Sequence, residues 1–299
     1  MERDIVRAAA PSRVSQAYIV RRLEERDAIR RHLEPRPAYA AYALGQLEPR
    51  LFPVSKWWLA EGDGGQALLL HSRGGLGNAL FAIGDAAALE ALLCLHPGPR
   101  NAFATCQAEH LEVLRRFFFL SHERPLLRMK VTADAFSAPQ GEVRRLHGRD
   151  AGLINRLYST EGVTGSYTHR QIEEGVYFGA YADERLVAVA GTHAVSPAHG
   201  VAVVGNVYTH PHHRDQGLGA LVTGAVTGAI LKTCPLVVLS VDPRNRAAVR
   251  AYQRLGYREE CRLIETPATR KDVFGLSSLV RRLTAALRGR AMGGALVRL

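Results

Sequence analysis

Residues 206–222 read NVYTHPHHRDQGLGALV, and their reading decides the fold. A β-rich approach runs into Pro211 and a polar turn, and a helix with an apolar stripe follows. Leu218, Leu221, Val222, Ala225, Val226, Ala229 and Ile230 fall on one face of that helix. Gly217 and Gly219 stand at its opening, where backbone N–H groups lack partners and the helix dipole favours an anion. Glycine lets a phosphate approach closely, and Arg214 three residues earlier adds a fixed positive charge and a bidentate donor. The ligand implied by this strand, turn and helix is a diphosphate.

Two familiar diphosphate sites fail on spacing. No G-K-[ST] follows for a triphosphate loop, and the residue three after Gly219 is Val222, so G-x-G-x-x-G is absent. What stands here is R-x-x-G-x-G over Arg214–Gly219. Further on, VDPRNRAAVRAYQRLGY at 241–257 joins a strand to a helix. Asn245 and Tyr252 lie nearly two turns apart on one face of that helix. Asn245 also suits a helix N-cap, Tyr252 a core aromatic and Gly256 a C-cap.

Together, the two segments resemble the acyl-CoA signature of the GNAT superfamily of N-acyltransferases, over roughly residues 142–265. The resemblance implies a sheet that splays between the strand ending near Thr209 and the strand at 236–241, with acetyl-CoA, the commonest donor, in the gap. It assigns cofactor contacts to Val207, Thr209, Arg214, Gln216, Gly217, Leu218, Gly219, Ala220 and Asn245. Tyr252, by the same likeness, serves the CoA sulfur as the catalytic residue. The segment 205–226 also looks similar to the glycine N-acyltransferase-like branch.

The expected chemistry is direct acetyl transfer to a primary amine, of a small molecule or amino acid, without an acyl-enzyme. The general base stays open among His193, Glu161, Tyr167, Asn206, Tyr208 and water, because the strand 201–210 carries no carboxylate. The rival reading is a non-catalytic acyl-CoA sensor. His210, His212 and His213 form H-x-H-H on a turn without a fourth ligand, so no metal site is expected.

Around this segment the chain alternates strands and helices, the order of an α/β sheet. EVRRL at 142–146 reads as a strand, 148–159 as a helix, 176–195 as a hairpin, and 235–241 as a buried strand. The N-terminal half repeats that order: a hairpin at 56–74, a strand at 78–85, a helix at 86–96, a strand at 101–107, a helix at 109–120 and a strand at 125–131. Its loop after the strand at 78–85 has only Gly84, with no arginine ahead. Two GNAT-like mixed-sheet domains in tandem are therefore expected. Residues 1–135 would form a non-catalytic half without the phosphate loop, 136–268 the catalytic domain, and 269–299 a basic amphipathic helix. The small and turn-forming residues of TADAFSAPQGE at 132–142 mark the junction.

The 299 residues suffice for two cores. Cys94, Cys106, Cys234 and Cys261 form no C-x-x-C pair, which fits a reducing cytoplasm. The charged N-terminus lacks a signal-peptide core, and no apolar run is long enough to span a bilayer. A net charge of +11 raises nucleic acid as a partner, yet +6 of it lies from residue 270 onward. There Leu279, Leu283 and Leu287 space a basic helix that ends near Gly289 or Gly293. A helix packed on its own domain, or between copies in a homodimer, accounts for that charge; aromatic-basic interleaving for nucleic acid is missing.

Overall fold

The computed structural model describes residues 16–73, 78–162, 166–287, 290–291 and 294–299. The first fifteen residues, and the expected helix end at Gly289 or Gly293, lie outside the described residues, as does the side chain of Leu287. In chain order the first half runs β1 (Ala17–Leu23), α1 (Arg26–Leu33), α2 (Pro37–Gly45), β2 (Ser55–Gly62), β3 (Gly65–Ser72) and β4 (Ala79–Gly84). It continues with α3 (Ala86–Leu95), β5 (Asn101–Cys106), α4 (Leu111–Phe117), β6 (Phe118–Leu120) and β7 (Arg124–Val131). The second half runs β8 (Arg144–Leu146), α5 (Ala151–Ser159), α6 (His169–Glu174), β9 (Tyr177–Ala182), β10 (Arg185–Ser196) and β11 (Val201–Thr209). Then follow α7 (Leu218–Ile230), β12 (Leu236–Val241), α8 (Arg246–Arg254) and β13 (Arg258–Arg270). The tail adds α9 (Leu276–Leu287), β14 (Arg290–Ala291) and β15 (Gly294–Arg298).

The expected repeat is present element for element. In one half β1 to β4 form an antiparallel meander and β5 lies parallel to β4; in the other β8 to β11 do the same and β12 lies parallel to β11. Two GNAT-like mixed sheets therefore stand in tandem. They are joined by an exchange: β7 of the first half pairs with β12 of the second, and β13 of the second half pairs with β5 of the first. β7 and β13 pair with each other, antiparallel, at the centre. One continuous sheet results, in which each half's last long strand lies in its partner's ladder.

The exchange also merges the cores. One cluster joins Tyr39, Leu44, Trp57 and Phe81 of the first half to Ala194, Val201, Val203 and Val238 of the second. Helix α2 makes this possible: it is apolar nearly all round and lies across β10, β11 and β12 as well as β7. Beneath the other face of the second half, Val222, Val226 and Ile230 of α7 are almost wholly buried. Each contributes about 1.5–3 kcal/mol of burial free energy.

The junction at 132–142 is laid along α7. Missing side chains at Gly224 and Gly228 admit Pro139 and Phe136, and Gly141 sits on Leu221. The tail differs from the helix that its leucine spacing predicts in one respect: after α9 the chain returns as β15 and pairs antiparallel with β1. Leucine periodicity carries no signal for a five-residue edge strand. Among the described residues no helix is long and apolar enough to cross a membrane.

Candidate active site

Strands β11 and β12 keep their parallel ladder only from Val201 to Val204, against Leu236 to Leu239. Beyond that point β11 runs on to Thr209 without β12. The divergence begins at a bulge, where the β10–β11 register shifts and Asn206 takes φ 53°. Asparagine tolerates the left-handed region better than most residues. Its amide is also anchored: Tyr167 Oη donates to Asn206 Oδ1 at 3.1 Å, and Asn206 Nδ2 donates to Tyr177 Oη at 3.0 Å. The bulge and the splay are thus built by side chains that the sequence placed among the candidate bases. Asn206 and Tyr167 are occupied holding backbone.

A groove of about 670 Å³ follows the splay. Val207, Tyr208, Thr209, Arg214, Gly217, Leu218, Gly219 and Ala220 form one wall, and Asn245, Ala248 and Tyr252 belong to the other. Gly217 is the N-cap of α7 with φ 78°, and a Cβ there would meet nothing within 4 Å. The helix N-terminus therefore faces open space, which fits a diphosphate. Arg214 donates from Nε to the Thr209 carbonyl at 3.2 Å and pairs through its other end with Glu161. Asn245 caps α8, its Oδ1 accepting from Ala248 N at 3.1 Å, so the cap and the groove wall are one residue. Gln216 does not line the groove, although its neighbours Asp215 and Gly217 do. Arg250 and Arg254 of α8 also line it, two residues that the sequence analysis did not single out.

A second cavity of about 550 Å³ opens on the other side of Tyr252. It shares Val207, Asn245, Ala248 and Tyr252 with the groove. Its remaining wall comes from both halves: Tyr42 of α2, Phe103 and Thr105 of β5, Arg124, Leu126 and Arg128 of β7, His193 of β10 and Glu265 of β13. The strand exchange is what brings β7 and β13 to this place. Tyr252 is 8% exposed, and burial pushes its phenol up to about 12. Its hydroxyl makes no hydrogen bond with any described residue, so the O–H is available.

His193 faces the cavity, so its ring keeps accessible surface although the protein encloses it deeply. That depth, and next the Arg128 guanidinium, push its imidazole well below the ordinary value, leaving it neutral near pH 7. Of the other base candidates, Asn206 lines the same cavity and Tyr208 the groove, while Glu161 and Tyr167 line neither. Glu161 is held by Arg214 and accepts from Tyr208 Oη at 2.9 Å, and these hydrogen bonds lower its carboxyl. Tyr208 stacks on Tyr158 with centroids 4.7 Å apart. His210, His212 and His213 contact one another on the turn, and no group of metal-ligating side chains assembles among the described residues.

The corresponding place in the first half is filled. His110, fully buried, bonds through Nε2 to the Gly84 carbonyl at 2.7 Å, where β4 would begin to splay. Asp85 stands at the N-cap of α3, but its carboxylate accepts from Gln66 N of β3 at 2.9 Å and not from the helix's own N–H groups. Tyr39 Oη donates to the Ala82 carbonyl at 2.7 Å.

Comparison with known proteins agrees with this geometry. Residues 151–257 match the model of the Acetyltransferase (GNAT) family. Among solved structures, a GCN5-related N-acetyltransferase from Kribbella flavida superposes with a TM-score of 0.56 at 21% identity, over 77% of this chain and 95% of that one. A Drosophila protein superposes with a TM-score of 0.60 at 14% identity, over 84% of this chain and 98% of that one. A GCN5-related N-acetyltransferase from Sphaerobacter thermophilus gives 0.52 at 17% identity, over 85% and 95%. No curated protein matches the sequence. With the motif, the splay and the family match in the same stretch, residues 151–257 are a GNAT acetyltransferase domain and the chain carrying them is an acyltransferase.

Proposed function

We propose that the protein transfers an acetyl group from acetyl-CoA to the primary amine of a small molecule, by direct attack. One observation carries this reading: the groove that suits a diphosphate and pantetheine arm meets a second cavity at Tyr252. A donor in the first and an acceptor in the second would face each other there. A cavity of about 550 Å³ is in the size range of small-molecule sites. In this reading residues 136–268 carry the reaction, and the first 135 residues, without a cradle of their own, supply much of the acceptor wall. Four free thiols suit a cytoplasmic setting.

When bound, acetyl-CoA supplies an electrophilic thioester carbonyl and a thiolate leaving group. The open N-terminus of α7 and the charges of Arg214, Arg250 and Arg254 hold its phosphates. The unpaired edge of β11 at Val207 and Thr209 aligns its arm. His193, neutral and next to the bulge, takes the proton released as the amine nitrogen bonds to the carbonyl carbon. The C–S bond breaks, and the Tyr252 O–H donates to the departing sulfur.

Thermal unfolding with acetyl-CoA, followed by thiol release with an amine panel, tests the reading. A ligand at a hundredfold excess over its Kd stabilises by about 2.7 kcal/mol. Absence of any shift overturns the donor site; a shift without thiol release for any amine favours the sensor.

A further inference from the structure

The acceptor cavity contains a buried cation that makes no ion pair with any described residue. Arg128 is 3% exposed on the central strand β7, opposite Ser240 of β12 and Cys261 of β13. It belongs to none of the ion pairs among the described residues, and its Nε is buried without a hydrogen-bond partner. Glu265 acts on it only through space: its register partner is Arg124, four positions along β7 from Arg128. That spacing puts the backbones of Glu265 and Arg128 about 13 Å apart along the strand. The Tyr42 hydroxyl, from α2, is likewise buried with no partner and lines the same cavity. Burial keeps this phenol protonated, a donor across the physiological range.

An unpaired guanidinium inside a protein is strongly disfavoured, and so is an unsatisfied phenol beside it. Both are donors, and both face a space that opens toward Tyr252. A group carrying one negative charge and several acceptor lone pairs satisfies them together. A dianion is a poorer match, because one buried positive charge leaves half of it uncompensated while Glu265 lines the same cavity.

Building on the acetyl-transfer reading, we propose that the acceptor is an amine that also bears a carboxylate, and that Arg128, with Tyr42, is the site for that carboxylate. The acid end binds on β7, and the amine projects toward Tyr252 and His193. The first half of the chain thereby selects the substrate, since both anchoring side chains belong to it.

The test uses the full-length protein saturated with acetyl-CoA and follows thiol release. Its panel contains α- and ω-amino acids, the primary amide of each, and the matching aminoalkylphosphonates. The acids are expected to exceed their amides in kcat/KM by about 10- to 100-fold, the worth of a charge-assisted hydrogen bond. Arg128→Met should remove that preference, bringing the acid and amide of each pair to comparable kcat/KM, while Arg128→Lys restores part of it. Tyr42→Phe, which deletes only the hydroxyl, should lower the acid preference about tenfold and covers the case in which Arg128→Met fails to fold. Equal rates for acids and amides, a preference for phosphonates, turnover of no acid-bearing amine, or a preference surviving in Arg128→Met would each overturn the proposal. A thermal shift by acetyl-CoA that persists in these variants keeps that failure separate from failure of acyl transfer itself.

Discussion

The ring of His193 lies over Gly205: a Cβ built on that glycine would come within 2.0 Å of His193 Nε2. Gly205 is thus where β10 and β11 let an imidazole stand in the cavity instead of being turned away. Gly205→Ala should push the ring off this position while leaving the groove along α7 intact. Expected is a fall of about 100-fold or more in kcat/KM for the amine, a positioned base being worth about 10²–10⁴-fold, with the acetyl-CoA-induced thermal shift unchanged. An unaltered rate would show that water, rather than His193, takes the proton.

Tyr252 is the hinge between groove and cavity, and its hydroxyl is unengaged. Tyr252→Phe keeps the buried ring and removes the donor alone. Losing a hydrogen bond to a developing thiolate costs about 1.5–3 kcal/mol, which lowers kcat about 10- to 100-fold. Unfolding midpoints and acetyl-CoA affinity should stay close to those of the unaltered protein. Equal kcat for the two proteins in pre-steady-state thiol release would remove Tyr252 from the reaction.

How much of this was legible in the sequence depends on how local the signal is. Arg214, Gly217, Gly219, Asn245 and Tyr252 sit in two short segments whose spacing reports one strand, one turn and two helices. Element order in the first half was legible for the same reason. Arg128 was not, because Arg124, Arg128 and Lys130 fall on one face of β7, and charged residues at that spacing carry no sign of a buried site. Only the exchange of β7 and β13 turns that side into the floor of a cavity, and strand exchange leaves no mark on local periodicity. Glu265 was missed likewise. Burial raises its carboxyl, but that burial exists only once β5, β13 and β7 lie side by side. Glu161 shows the converse: a carboxylate singled out from the sequence, tied to Arg214 outside the acceptor cavity.

Stability should fall with acid in a definite window. Burial depresses His71 to about 3 and His96 to about 4, with His193, His110 and His32 shifted the same way. Such groups are neutral in the folded chain and take up protons on unfolding once pH drops below about 6.5. Their contribution is therefore complete above that value and is lost as pH falls toward 4 and 3. Urea midpoints measured from pH 8 to pH 4 should decline across this interval. His71→Leu, which removes a ring 8% exposed, should flatten the decline. A midpoint independent of pH between 6.5 and 4.5 would contradict the assignment.

Gly217 and Gly256 share a left-handed backbone, with φ 78° and 92°, yet substitution should separate them. Around Gly217 the space is open, so Gly217→Ala bears only the left-handed conformation, about 1–2 kcal/mol. At Gly256 a Cβ would lie 1.9 Å from the Ala135 carbonyl oxygen, where the junction segment crosses the end of α8. Backbone must move there, and the conformational strain is added to it. Gly256→Ala is expected to destabilise by about 3 kcal/mol or more, in the range of large backbone effects. For donor binding the order reverses: the new methyl of Gly217→Ala stands in the anion cradle and should weaken acetyl-CoA binding, whereas Gly256→Ala, assayed well below its melting temperature, should bind normally. Isothermal titration with acetyl-CoA and urea unfolding of both variants measure the two effects. If Gly217→Ala bound acetyl-CoA as tightly as the unaltered protein, the N-terminus of α7 would not be where the diphosphate sits.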